Sequence, residues 1–490
     1  MSQLFRSFCL SLLFSASGLA ATYYVATTGN DTTGDGSINN PYKTVQKGAN
    51  MATTPGDTVI VREGTYRETV NISYSGSEGN PITFRAYAGE TVIIKGSDVV
   101  TGWVNHNGNV WKKTGWTSNS QQVFDEGVPL QQIGMPSQYF TTFEYPNPVG
   151  EDLDDMAAGR FWYDSENTTL YVQLSDNSNP NDCVMEASVR RRIFFEYLKS
   201  YINLEDIIFE HSNAAAFCDG DAAVQLGSNC IIDSCTIRYT DMTGLSMGYQ
   251  ASNAQALNCI LEYNGLSGAG GSASYNYLIS GCTITHNNYR DFNANWAASG
   301  IKAAAHGYGT VENNEIAYNN ASGMWCDYED TANTTIICNN YIHDNGPKEA
   351  GIFFEASRSG LIYNNVLVGN ERRGIYISGS YDTKVYNNTI VEQKGVAAIQ
   401  LLNGIHNCTN VLIKNNIVYN SDSACSYDLY MISQAGTTSD YNCFYRGGST
   451  IKLHSGAALY TTLLSWQQNT AYDDHSLNCN PMFLTENGDD

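Results

Sequence analysis

One short phrase recurs along the second half of the chain and restricts its fold more than any other feature. It reads Ser234-Cys235-Thr236-Ile237, Asn258-Cys259-Ile260-Leu261 and Gly281-Cys282-Thr283-Ile284, then Asn313-Asn314-Glu315-Ile316 and Asn339-Asn340-Tyr341-Ile342. It continues through Asn364-Asn365-Val366-Leu367, Asn387-Asn388-Thr389-Ile390 and Asn415-Asn416-Ile417-Val418. Counted from the second residue of each phrase, the steps are 24, 23, 32, 26, 25, 23 and 28 residues. A drifting period of this length, made of short apolar runs and polar turns, predicts a parallel β-solenoid. Helical solenoids need a steadier period of about 34 residues or more, and leucine-rich repeats need a recurrent Leu-x-x-Leu-x-Leu frame. Neither pattern is present.

Equivalent positions of a solenoid stack about 4.8 Å apart. Asn314, Asn340, Asn365, Asn388 and Asn416 are therefore expected to form an inward amide ladder, continued by Cys235, Cys259 and Cys282 as buried thiols. Free buried cysteine is the expected state there, with a disulfide inside the ladder the lesser alternative. Forty-two per cent apolar residues supply a core, and only 15% charged residues with 44 Gly and 33 Tyr argue against helical bundles. A net charge of −23 provides no basic field for nucleic acid, though a local basic site for an acidic sugar is compatible with it.

The chain divides by texture. Residues 1–21 carry Arg6, an apolar stretch from Phe8 to Phe14 and the small-residue run Gly18-Leu19-Ala20, the pattern of a secretory signal peptide. No later run is long and apolar enough for a membrane span. The mature protein is accordingly expected outside the cytoplasm, extracellular or periplasmic. Residues 22–100 read as a strand, a Gly/Asp loop, a capping helix over about 42–52 and the first coils. Residues 101–190 break the repeat with Trp103, Trp111, Trp116 and Phe161-Trp162-Tyr163, which reads as an inserted β-rich module. Residues 191–490 are the main solenoid, and no C-terminal cap is legible after Asn480-Pro481. Oligomeric state is not readable.

The second strand of each coil locates the chemistry. It follows Gly300, Gly323, Gly351 and Gly374, and strand alternation sends Lys302, Trp325, Phe353 and Tyr376 outward in one row. Ala304, Asp327, Glu355 and Ser378 form the next row. An exposed aromatic row beside two stacked acids suits a sugar groove better than it suits solubility. Asp327 and Glu355 should stand roughly 5 Å apart, close to the spacing of a retaining glycosidase pair. Two acids that close cannot both ionise easily. Glu355, flanked by Phe353 and Phe354, is the candidate proton donor, and Asp327 the candidate nucleophile.

Blander readings stand beside these. Single acids at strand ends are ordinarily solvated, and Trp325 and Phe353 would serve equally to cover the insert. Lys302 has three readings: a uronate ligand, a partner that tunes Asp327, or a solvated charge. His306, in the Gly-flanked His306-Gly307-Tyr308-Gly309, is read as a turn or as a substrate contact. Arg290, Asp291 and Trp296 fall in the long 32-residue step, where a loop can overhang the groove. Arg372 and Arg373 are rim charges or partners for a carboxylate. This chemistry requires no metal or other cofactor. Asp31 and Asp35 offer oxygen donors to calcium, with an Asx turn the simpler reading.

These residues carry a resemblance. Tyr23-Tyr24-Val25-Ala26, Gly34-Asp35-Gly36-Ser37, Pro41-Tyr42 and Gly56-Asp57-Thr58-Val59 resemble the opening of secreted right-handed parallel β-helix polysaccharide enzymes, with the pectate-lyase-like fold. The stretch Gly159-Arg160-Phe161-Trp162-Tyr163 with Asn167-Thr168-Thr169-Leu170-Tyr171 is similar to the insert of β-helix glycoside hydrolases of families 120 and 141. That resemblance implies hydrolysis of xylose- or fucose-containing glycans by two carboxylates on neighbouring coils, matched here by Asp327 and Glu355. A polysaccharide lyase or uronate epimerase is the second expectation, with Lys302 as base, although neighbouring Asp327 opposes that role. A non-catalytic glycan-binding solenoid is the third. In each case the partner is a polysaccharide or oligosaccharide.

Overall fold

The computed structural model describes residues 19–136, 141, 143–196, 198–214, 222–329, 332–432 and 435–483. The expected signal peptide falls almost wholly outside these residues. Among them, three long sheets of 13, 13 and 12 strands run side by side, and successive coils add a strand to each. Almost every neighbour pairs in parallel, as Ile231–Asp233 does with Gln255–Leu257 and Thr236–Arg238 with Ile260–Glu262. The architecture is an all-β, right-handed parallel β-helix with small antiparallel sheets attached.

The recurrent phrase has a physical explanation at each of its first two positions. Its first residue sits in the left-handed region, with φ near +56° at Asn339, Asn387 and Asn415, and Gly281 occupies the same slot at +69°. Asparagine and glycine tolerate that conformation best. The second residue builds the ladder. Asn314, Asn340, Asn365 and Asn388 each donate Nδ2 to the Oδ1 of the next rung at 3.0 Å, and Asn416 extends the series to Asn442. Cys282 joins it by donating its backbone N–H to Asn314 Oδ1 at 2.8 Å, and Cys259 N–H points to Cys282 Sγ at 3.4 Å. The described cysteines are free thiols, and Cys235, Cys259 and Cys282 are buried.

A second ladder runs beside the first and was not anticipated. Asn264, Asn287, Asn319, Asn345, Asn370 and Gln393 are linked side chain to side chain at 2.9–3.1 Å. The spacing carries its signal, since Asn287, Asn319, Asn345, Asn370 and Gln393 each lie five residues after a rung of the first ladder.

Both ends of the solenoid carry a short helix. Helix α1, Val45–Met51, is N-capped by Thr44 and buries Val45, Gly48 and Ala49 against the first coils, which covers an open edge. Asp31 braces it by accepting from the Lys43 and Thr44 backbone N–H groups, and Asp35 accepts from the Ser37 N–H. Asp31 thus ties the loop to the start of the helix, and Asp35 makes a local turn. Helix α2, Leu463–Asn469, seals the other end with the fully buried Trp466, a closure that the sequence reading missed. Strands between Ser97–Val99 and Met185–Ser188, antiparallel except for the parallel pair of Gln131–Gln132 with Arg160–Phe161, form sheets of 4 and 5 strands around a core of Trp103, Phe161, Leu170 and Val172. They dock on the solenoid through Phe124, whose ring stacks on His211 at 3.6 Å.

Candidate active site

Four strands of one long sheet carry the predicted residues: Ser299–Ala304, Ser322–Asp327, Ile352–Glu355 and Arg373–Ser378. Their inward residues, among them Ile301, Met324, Cys326, Ile352, Phe354 and Ile377, are buried in the core. Alternation therefore turns the intervening residues to the outer face. The register matches the sequence reading in both rows. Lys302, Trp325, Phe353 and Tyr376 are successive partners, and so are Ala304, Asp327, Glu355 and Ser378.

Asp327 and Glu355 close adjacent strands at the floor of a cavity of about 450 Å³. The Lys302 ammonium donates to Asp327 Oδ2 at 2.8 Å and lies 3.1 Å from the centre of the Trp325 ring. Trp325 Nε1–H in turn donates to Glu355 Oε2 at 3.1 Å. A lysine and an indole thus hold the two acids in different settings. Burial, then the neighbouring Asp327 carboxylate, push the Glu355 carboxyl above the usual glutamate range, while Lys302 and the indole N–H oppose the rise.

A second layer fixes the strand ends. Glu329, 1% exposed, accepts from Tyr277 Oη at 3.1 Å and Thr335 Oγ1 at 2.8 Å, and burial raises its carboxyl. Its backbone N–H donates to Ser357 Oγ at 2.9 Å, which ties the coil of Asp327 to the coil of Glu355. Sequence reasoning passed over Glu329 because it lies beyond the strand, where alternation no longer assigns a direction.

The aromatic row departs from expectation. Trp325 and Phe353 are each only 4% exposed. Trp325 tilts against Phe353 at 5.1 Å, Phe353 stacks on Tyr376 at 4.8 Å, and the Arg373 guanidinium lies 4.2 Å from the Tyr376 ring centre. The outward rings cover one another, so the row is a packed ridge rather than an open platform. Trp325 still lines the cavity, whereas Phe353 and Tyr376 are not among its described lining residues. His306 is exposed and also lies outside that lining, in a left-handed turn where its N–H donates to the Tyr328 carbonyl at 2.7 Å. Arg372 and Arg373 both pair with Glu349, at 3.2 and 3.1 Å.

The loop in the 32-residue step does overhang the groove. Asn295, Trp296 and Ala297 form one wall, with Trp296 46% exposed and its ring 5.4 Å from Phe143. Arg290 and Asp291 belong to another cavity. The lining also includes Tyr328, Ala356 and Ile405, which sequence reasoning did not single out. Ile405 had a signal: its loop lies in the 28-residue step, longer than its neighbours.

The family profile described as right handed beta helix region matches residues 227–390 and 290–462, and a Pel9A-like right handed beta helix region matches residues 23–135. Pectate lyase PEL9 of Emericella nidulans is 41% identical over 83 residues, covering 16% of this chain and 20% of that protein. The chain thus matches the curated relatives over a fifth of their length or less. A solved structure of XylC with xylose superposes with a TM-score of 0.65 at 18% identity, covering 89% of this chain and 86% of that one. A structure described as a glycoside hydrolase does so with a TM-score of 0.57 at 14% identity, over 92% and 98%. Likeness at these identities is a likeness of fold.

Proposed function

We propose that this right-handed β-helix protein is an exported glycoside hydrolase that cleaves a glycan in the groove above Asp327 and Glu355. One observation carries the reading: two carboxylates in direct register on adjacent coils, at the floor of a cavity, with different partners. Glu355 retains its proton to higher pH than an ordinary glutamate and donates it to the departing glycosidic oxygen. Asp327, held by Lys302, attacks the anomeric carbon. Glu355, now ionised, then activates the water that releases the sugar. One strand spacing is about 4.8 Å, near the 5–5.5 Å or so between the carboxyls of retaining enzymes. Trp296 supplies the exposed ring against which a sugar face would rest. A fold relative holds xylose, so xylose-containing glycans head the substrate panel.

The test is cleavage of a panel of plant and algal glycans in ¹⁸O water, with products weighed by mass spectrometry. Products that gain one labelled water per cut support hydrolysis. Unsaturated products without added water would overturn it and turn attention to Lys302 as a base. That second chemistry is disfavoured by geometry, because the Lys302 ammonium already donates to Asp327 and rests on the Trp325 ring.

A further inference from the structure

We infer that a second, non-catalytic carbohydrate site lies in the seam between the antiparallel strands and the solenoid, shaped for a neutral sugar residue of a glycan chain. It rests on the carbohydrate reading above and adds a binding site to it. The seam encloses a cavity of about 450 Å³, as large as the one above the acids and within the usual size range of small-molecule sites.

The chemistry of the walls selects the ligand. Gln121 and Gln122 come from the segment that leads into the strand Val123–Asp125, Gln131 and Gln132 form a strand of the small five-stranded sheet, and Tyr289 and Arg290 come from the solenoid loop. Carboxamides present a donor and an acceptor side by side, which matches vicinal hydroxyls. Arg290 is accompanied in the lining by Asp291, so no net positive charge awaits a uronate.

Two features mark this as a built site rather than a packing gap. Gln121 is 1% exposed, and its Nε2 donates to the Asn119 carbonyl at 3.0 Å and to Asn119 Oδ1 at 2.9 Å, while its Oε1 is buried without any partner. Buried amide oxygens rarely go unsatisfied, and one at a cavity wall is an acceptor in need of a hydroxyl. The other groups are held in place. Gln122 Nε2 donates to the carbonyls of Ser212 and Tyr239, both at 3.0 Å, and its Oε1 accepts from Tyr289. Arg290 donates to Gln132 Oε1 and to the Asp241 carbonyl.

A single loop connects this site to the catalytic cavity. Tyr289, Arg290 and Asp291 line the seam, and Asn295, Trp296 and Ala297 line the cavity above the acids. Phe292, 2% exposed, pins the loop between them. A glycan held in the seam would therefore be anchored beside the wall against which its neighbour is cut.

The experiment is amide hydrogen exchange on the Glu355→Gln protein with xylotetraose, cellotetraose or trigalacturonate, compared with Gln121→Leu and Gln131→Trp made in the same background. Neutral tetrasaccharides are expected to slow exchange in residues 119–132 and 288–293 at least several-fold. Either added variant should abolish that protection while leaving exchange over residues 322–328 as it was. Gln131 is exposed, so its variant reads out even if Gln121→Leu fails to fold. Protection confined to 322–328, protection unchanged in the variants, or protection by the uronate alone would overturn the proposal. Seam protection in a protein that cleaves nothing would leave this site standing while the hydrolase reading falls.

Discussion

The Lys302 ammonium lies 2.8 Å from Asp327 Oδ2 and rests on the Trp325 ring, so one cation serves a carboxylate and an aromatic face together. Burial and then Asp327 raise the Glu355 carboxyl, and Lys302 opposes the rise. Removing the lysine should strengthen the hold of Glu355 on its proton. In Lys302→Met the alkaline limb of kcat/KM is expected to move to higher pH, while kcat/KM at the optimum falls by roughly 10²-fold as Asp327 loses its partner. A limb that moves to lower pH would show that another group controls it.

The two acids should separate by leaving group. Glu355→Gln is expected to lower cleavage of a natural glycan by about 10²–10⁴-fold, the usual contribution of a general acid. With an aryl glycoside whose leaving group needs no proton, kcat/KM should be spared because it reports the first step, while kcat falls because the water is no longer activated. Asp327→Asn should lose both substrates, because attack on the anomeric carbon fails in each case. Values of kcat/KM on the two substrates decide it, and equal losses of kcat/KM in both variants would remove the role assignment.

Stability should track the rungs. Asn340→Leu deprives the backbone N–H of Asn314 and the Asn314 amide of an acceptor, and abolishes the donors to Asn365 and the Val311 carbonyl. Stranding such buried groups costs about 1–3 kcal/mol each, visible as a lower urea midpoint with an unchanged slope. Asn340→Cys should be the milder change, since Cys282 and Cys259 already occupy rungs in earlier coils.

Cys443 and Cys479 present their sulfurs 3.9 Å apart near the C-terminal end, with Cys479 exposed and Cys443 half-buried. Incubation with oxidised glutathione should close a disulfide between them by two successive thiol–disulfide exchanges, which release two glutathione thiols. Intact mass should fall by two hydrogens, and Cys443→Ser should prevent it. Ladder thiols, being buried, should remain reduced. A stable glutathione adduct in place of the loss would show that the pair cannot meet.

What the sequence disclosed followed from periodicity. The Asn-Asn slot locates the coils, and strand alternation from Gly323 and Gly351 is enough to place Asp327 beside Glu355, as the register has them. Periodicity gives direction but not cover. Trp325 and Phe353 do point outward, yet rings stacked at about 5 Å shield one another, and nothing in a one-dimensional pattern reports that. Groups beyond a strand end were equally hidden. Glu329, Tyr328 and Ile405 owe their positions to turns whose lengths vary from coil to coil. The second amide ladder was legible in principle, five residues behind the first, but Gln393 interrupts its spelling.

The one-rung separation of the two acids has a consequence for how such a scaffold acquires new chemistry. Neighbouring coils differ by a fixed step, so the gap between Asp327 and Glu355 can change only in whole steps. Duplicating one coil between them would set the carboxylates two steps apart, about 9.6 Å. That lies past the retaining distance and at the far edge of the roughly 6.5–9.5 Å used by inverting enzymes. In such a protein the anomeric configuration of the released sugar becomes a matter of counting, open to alteration by gene duplication without the redesign of any side chain.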